Sequence, residues 1–408
     1  MLGERIRTIR KQKKLTLEEL AGSELTKGML SLIENNKANP SMESLAYIAE
    51  RLEVEISELL GQVSVYELRD VLEEAEKLFN KDTDKYPNKY KELIALIKPY
   101  ASKLHQGYEA ARLLDIYGRS LYWENNDTWS QHCDLAARLY DQMNITAKRA
   151  GIGFFRAIVK FVEHDYEQAL KILLNERKEI EAKHAYIDSI TRLDFDYQEA
   201  SLHFAVGDTV SAKRVMDAAI SYSKTNKTFY LIDDLYRLAA AYAMMAGDKE
   251  SHEYYLEKLR QYAEFADDQL SKLIYQLFYI ELLNTVKKEY QVALDHSEKY
   301  LKDPDFNEPI RHWFYLEKGK ALHGLTRFKE AISIFDKIQI PTYHHHPFDL
   351  SQFYLADTYK ALCYVELGKI TEAISAAKKA VMNFTSLPNS PYKEFSLKTY
   401  ENIVNQVK

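Results

Sequence analysis

Six short stretches return at near-regular intervals along the chain: DYEQAL, DTVSAK, DKESHE, EYQVAL, RFKEAI and KITEAI. Aligned on their fifth residue they fall at Ala169, Ala212, His252, Ala293, Ala331 and Ala373, with spacings of 43, 40, 41, 38 and 42. Twelve positions before each aligned residue stand Ala157, Ala200, Ala240, Glu281, Gly319 and Ala361, small in every case but Glu281. A fixed period of this length marks a stacked array, because one supersecondary unit cannot bury its apolar face alone. Apolar residues recur at three- and four-residue spacing almost throughout, and only 9 Pro and 13 Gly interrupt 408 residues. The expectation is an all-α protein, with no convincing strand. A small residue facing each opening lets two helices of a unit approach closely.

The first sixty residues have a different grammar. Ile6 and Ile9, with the aliphatic part of Arg10, fit a first helix. Thr16 and Glu19 make the pattern Thr-x-x-Glu, in which hydroxyl and carboxylate each satisfy a free backbone N–H, so a short second helix starts at Leu17. Thr26 caps a third, with Leu30 and Ile33 inward and Lys27, Ser31 and Glu34 outward. Asn35 to Pro40 is a break, Ser41 opens a fourth helix, and VEISELL holds a fifth. Net charge is −6, yet residues 1–14 carry six basic residues against Glu4 alone, so any nucleic-acid contact belongs at this end.

These five helices, with a tight turn between the second and third, resemble the helix-turn-helix domain of the Xre and lambda-repressor family. The carrying residues are IRTIRKQKKLTLEELA and LTKGMLSLIENNKANPSMESLAYIAERLEVEISELL. The resemblance puts the third helix in the major groove of double-stranded DNA, with Lys27, Gly28, Met29 and Ser31 exposed there, Asn35, Asn36 and Lys37 following, and Thr16 near a phosphate. Family members often begin their second and third helices with Gln, whereas this chain has Leu17 and Gly28. Residues 1–60 hold 9 basic and 10 acidic side chains, so a single copy should bind weakly and a dimer should read the two halves of a pseudo-palindromic operator.

The later helix pairs resemble tetratricopeptide repeats, here about seven units with a C-terminal capping helix. Residues 1–61 form the expected DNA-binding domain, 62–85 a linker helix and 86–408 a peptide-binding and oligomerisation domain. The resemblance implies a right-handed superhelix whose concave face is lined by the first helix of each unit. Projecting that register points Arg112, Arg119, Tyr122, Trp123, Phe154, Tyr197, Asp234, Arg237, Tyr275, Phe278, Trp313 and Lys320 into a peptide groove. Asn284 is the one mid-helix Asn placed to hold a peptide backbone.

Other chemistries find no support. His344, His345 and His346 are adjacent on a loop and diverge, without a Cys or carboxylate to complete a metal set. The Gly151–Gly153 pair lacks the strand and third Gly of a phosphate loop, and Glu181 with His184 lacks the partners of a di-metal bundle. No nucleophile, base and orienting acid can be assembled, so no enzyme, cofactor or metal is expected. Cys133 and Cys363, 230 positions apart in helical patterns, read as buried free thiols. The charged N-terminus and the absence of a long apolar run point to a cytoplasmic protein with no membrane partner.

A head and array of these kinds look like the peptide-pheromone-responsive regulators of Gram-positive bacteria that include Rgg, PlcR, PrgX and NprR, and most like the NprR branch. That resemblance implies a quorum-sensing transcription regulator controlled by a short imported signalling peptide, a homo-oligomer that is dimeric, or tetrameric with peptide. The alternative it implies is an array that sequesters a response regulator of the sporulation phosphorelay, as Rap-like arrays do.

Overall fold

The computed structural model describes residues 2–60, 63–303, 306 and 308–406. The expected boundary between residues 61 and 62 falls outside them. The described residues contain helices and connections with no strand, and none of those helices is long and apolar enough to cross a membrane. The chain divides into two compact units, residues 1–152 and 153–408.

The first unit begins with five short helices: α1 (Leu2–Gln12), α2 (Leu17–Ala21), α3 (Lys27–Glu34), α4 (Met42–Arg51) and α5 (Ile56–Leu60). Their starts are set by side-chain caps. Thr16 accepts from the Glu19 N–H while Glu19 accepts from the Thr16 N–H, and Thr26 and Ser41 cap α3 and α4 by accepting from the Met29 and Ser44 N–H groups. Between them Ile6, Leu20, Leu30, Ile33, Leu45, Ile48 and Leu52 are buried in one core. At Gly3 the backbones come so close that a Cβ would lie 2.0 Å from the Ile33 carbonyl oxygen. Arg5 donates to the Leu59 and Leu60 carbonyls at 2.8 and 2.6 Å, which satisfies the open C-terminal end of α5.

One correction concerns the outward face of α3. Glu34 is buried, and its carboxylate takes both Arg10 Nε and Nη2 at 2.6 and 2.8 Å. Positions 30, 33 and 34 share one face of the helix, so a carboxylate there turns inward once a buried guanidinium needs a partner.

The unit continues with α6 (Val65–Phe79), capped by Ser64, then α7 (Lys89–Ile97), a 3₁₀ turn at Ala101–Lys103, α8 (Gly107–Trp123) and α9 (Trp129–Gln142). At Gly118 a Cβ would sit 2.6 Å from the Cys133 sulfur, so α8 and α9 pack at a distance only glycine allows. Helix α10 (Thr146–Val162) runs on into the second unit.

The second unit stacks α11 (Tyr166–Lys183), α12 (Ser189–Ala205), α13 (Thr209–Asn226), α14 (Ile232–Ala246), α15 (Lys249–Phe265), α16 (Gln269–Leu282), α17 (Tyr290–Leu301), α18 (Glu308–Gly324), α19 (Phe328–Phe335), α20 (Pro347–Glu366), α21 (Ile370–Phe384) and α22 (Pro391–Asn405). A π-helical turn, Leu283–Lys287, extends α16. The recurring stretches open α11, α13, α15, α17, α19 and α21. Asp165, Asp208 and Asp248 cap the first three of these by accepting from Gln168, Ser211 and Ser251 N–H groups.

The residue before each opening is left-handed every time: His164, Gly207, Gly247, Lys288, Thr326 and Gly368, with φ between 56° and 83°. That residue reverses the chain between the helices of each pair, and glycine adopts the conformation without steric cost. Ala200, Ala240 and Ala361 are fully buried at the close approach, and a Cβ on Gly319 would strike the Phe335 ring at 2.3 Å. Glu281 occupies the equivalent place on α16 and is buried too. Cys133 and Cys363 are buried and are not joined in a disulfide, and burial pushes the Cys363 thiol up to about 12.

Candidate functional site

At the N-terminal end, α3 presents Lys27, Gly28 and Met29 to solvent, with Ser31 half-buried behind them. Nothing but the Thr26 hydroxyl, at 4.0 Å, approaches the place a Gly28 Cβ would take, so the backbone of the first turn lies bare. Among the described residues Lys27 makes an exposed 3.4 Å ion pair with Glu18, worth little in water. Asn35, Asn36 and Lys37 follow on an exposed turn. Asn35 Nδ2 donates to the Ser31 carbonyl at 2.8 Å, and Asn36, at φ 55°, accepts from the Gly3 N–H at 3.0 Å. Asn36 therefore ties α1 to the end of α3. Thr16 is exposed at the start of α2, its hydroxyl and N–H occupied by Glu19.

The second unit encloses a cavity of about 820 Å³, walled by the first helices of successive pairs. Phe154, Ile158 and Phe161 come from α10, Tyr197 and Phe204 from α12, Arg237 and Met244 from α14. Opposite them stand Leu273, Leu277, Phe278 and Glu281 of α16, Trp313 and Glu317 of α18, and Asp349 and Gln352 of α20. The walls are chiefly aliphatic and aromatic, with polar groups at a few points, the composition of a ligand site. Arg237 Nη2 donates to the Tyr197 hydroxyl at 3.2 Å and pairs with Asp234 at 2.6 Å.

The histidine triplet closes one side. Trp313 Nε1 donates to His344 Nε2 at 3.2 Å, while His344 Nδ1 lies 3.4 Å from the Asp349 carboxylate. His346 Nδ1 accepts from the Phe348 N–H at 3.1 Å and so caps α20, and its Nε2 reaches the Ser201 carbonyl at 3.1 Å. Tyr166 donates to the His345 carbonyl at 2.8 Å. The His346 ring thus has one accepting nitrogen and one facing a carbonyl, which is the neutral form, and burial lowers its pKa. Among the described residues no group of three His, Cys, Asp or Glu side chains is disposed to hold a metal ion.

Beside this cavity lies a buried polar network. Lys320 Nζ donates to Glu317 Oε1 at 2.7 Å and to Gln352 Oε1 at 3.3 Å. Asn284, in the π turn, donates from Nδ2 to the Glu317 carbonyl and to Glu317 Oε2, both at 2.9 Å. Burial first, and the charge of Glu317 second, raise the carboxyl of Glu281 to about 7 against the opposing pull of Lys320.

Residues 3–65 match the family model of a helix-turn-helix domain. This segment is a helix-turn-helix domain. A curated relative, the immunity repressor protein of Bacillus phage phi105, is 37% identical over 62 residues, 15% of this chain and 43% of the phage protein. The chain therefore spans less than half the length of that relative. Among solved structures, Bacillus thuringiensis PlcR in complex with the peptide PapR7 and DNA is similar at 16% identity, over 67% of this chain and 98% of PlcR, with a TM-score of 0.36. ComR from S. thermophilus in complex with DNA and its signalling peptide ComS is similar at 20% identity, over 66% of this chain and 96% of ComR, with a TM-score of 0.27.

Of the residues expected in a groove, the cavity gathers Phe154, Tyr197, Arg237, Phe278 and Trp313. Asp234 stands behind Arg237 as its ion-pair partner. Tyr275 stacks on Tyr279 with ring centroids 6.1 Å apart, and Lys320 and Asn284 belong to the buried network. Beyond the helix-turn-helix domain, the first unit holds the remaining four. Arg112 is clamped by Glu76 of α6 and by Asp115, and Arg119 by Asp115 and the Gly151 carbonyl. Tyr122 packs edge-on to Trp123 and Trp129, and Trp123 stacks on Tyr90. Sequence reasoning weighed His344 and His346 only as metal ligands and singled out neither Asp349 nor Gln352, and all four lie on the cavity wall. The one available signal was Pro347 directly after the triplet, which marks a helix start and hence a fixed loop.

Proposed function

We propose that the chain is a DNA-binding transcription regulator of the quorum-sensing type, controlled by a short peptide held in the cavity of residues 153–408. The helix-turn-helix domain supports the first half of this reading. The observation that carries the second is the cavity itself, whose volume lies within the roughly 300–1,000 Å³ of small-ligand sites. Its aromatic and aliphatic walls suit apolar side chains. Arg237, on the cavity wall with the Tyr197 hydroxyl and Asp234 on its Nη2 and Asp349 nearby, presents further N–H groups that suit a carboxylate of the ligand.

The DNA-facing group is Lys27, Gly28, Met29 and Ser31 with Asn35 and Lys37, and Thr16 stands near a phosphate. Asn36 serves this surface by fixing the turn. With one basic side chain fewer than acidic ones in residues 1–60, a single head binds weakly, and two copies of the chain read two half-sites.

The test is selection from random duplexes with the full chain. The reading expects an inverted repeat to emerge, bound about tenfold more weakly by Lys27→Ala or Lys37→Ala, each a surface change with little effect on folding. Recovery of no preferred sequence, or undiminished binding by both variants, would contradict it.

A further inference from the structure

The cavity contains a carboxyl group that the chain itself leaves unmatched. In the buried network Lys320 is paired with Glu317, and both carboxylate oxygens of Glu317 are occupied, one by Lys320 and one by Asn284. Glu281 is additional to that balance. It is 7% exposed, it lines the cavity, and its Oε2 has no hydrogen-bond partner among the described residues. Gln352, 4% exposed, also lines the cavity; its Oε1 accepts from Lys320, which fixes the amide orientation, and its Nε2, beside the Tyr392 hydroxyl, makes no close hydrogen bond among the described residues. A buried carboxyl oxygen and a buried amide donor left unmatched are each costly, and in a native fold such groups call for an explanation.

Their chemistry specifies a complement. A carboxylate acceptor beside an amide donor fits a cation followed closely by a carbonyl, which is what the first residue of a peptide presents. We propose that Glu281 and Gln352 form a subsite for a positively charged group of the ligand, with Glu281 taking the ammonium and Gln352 Nε2 donating to the adjacent carbonyl. This rests on the peptide reading of the cavity. A lysine or arginine side chain could supply the same charge, but would leave the Gln352 donor without its carbonyl. The position fits a ligand role in another way. Glu281 replaces the alanine or glycine that closes the other helix pairs, so the array gives up a close helix contact there and places a carboxylate on the cavity wall instead.

The experiment offers the full chain three synthetic heptapeptide pools and reads the retained peptides by mass spectrometry after gel filtration. The first pool has free amino termini and no Lys or Arg, the second is N-acetylated and contains Lys or Arg, and the third is N-acetylated without either. The subsite predicts at least tenfold greater retention of the first pool than the third. It also predicts loss of that preference in Glu281→Gln and its partial return in Glu281→Asp, with folding of both checked by thermal melting. Retention of the second pool in place of the first overturns the pairing of an amino terminus with Glu281 and its carbonyl with Gln352. Equal retention of the third pool, or an unchanged preference in folded Glu281→Gln, overturns it. Retention of none of the pools sinks the peptide reading, and the subsite with it.

Discussion

Glu281 shows at the scale of one residue how function and stability pull apart. Its folded carboxyl is raised to about 7, above the ordinary value of 4.5. The unfolded state therefore gives up its proton first. The stabilisation this supplies is present below about pH 4.5 and is lost as pH rises through 7, a loss of order 3 kcal/mol. The charged and titratable groups around it are Glu317 and Lys320 on α18, Tyr359 on α20 and Tyr392 on α22. Glu281→Gln should thus melt several degrees above the unsubstituted chain at pH 8, with the gap closing by pH 5, in paired thermal scans. A gap that is the same at both pH values would mean that Glu281 is ionised throughout. Sequence alone marked this residue only as a break in a small-residue pattern. Its burial depends on α18 and α20, which no local pattern encodes. Glu34 was misplaced for a related reason. Arg10, charged at an inward position of α1, was the sign that an acid had to meet it.

At the scale of the element, the helix pairs were legible because their signals are local: caps, openings and spacing all lie within a few residues of one another. The conformation between the helices of a pair follows the same rule. Gly207, Gly247 and Gly368 take the left-handed position without strain, whereas Thr326 takes it at φ 59° with a β-branched side chain, which is costly. Thr326→Gly should stabilise the chain by about 1 kcal/mol, read by chemical denaturation, while Gly247→Thr should destabilise it by a similar amount. If Thr326→Gly proved destabilising, the side chain would hold the turn by a contact that outweighs its strain. The loop carrying the histidine triplet was not legible in this way. A loop has no period, and its partners Ser201 and Tyr166 are 145 and 179 residues away in sequence. Arg112 and Arg119 show what a register alone omits, namely the partners of a side chain on other elements. The spacing placed them on the inner face of a helix, and ion pairs with Glu76 and Asp115 occupy them there.

At the scale of the whole molecule, the proposed regulator joins a helix-turn-helix domain of modest charge to a cavity sized for a small ligand. Such a ligand can shift DNA binding only by the difference in its affinity for the two states of the protein, typically about 1–3 kcal/mol or 5- to 150-fold. The coupling is reciprocal, so operator DNA must alter peptide affinity by the same factor. The most direct measurement is the affinity of the full chain for its selected operator, followed by fluorescence anisotropy, with and without a saturating peptide from the retained pool. The account predicts a change of at least fivefold, abolished by a substitution that removes peptide binding, such as Arg237→Ala. Unchanged operator affinity with the peptide demonstrably bound would contradict it.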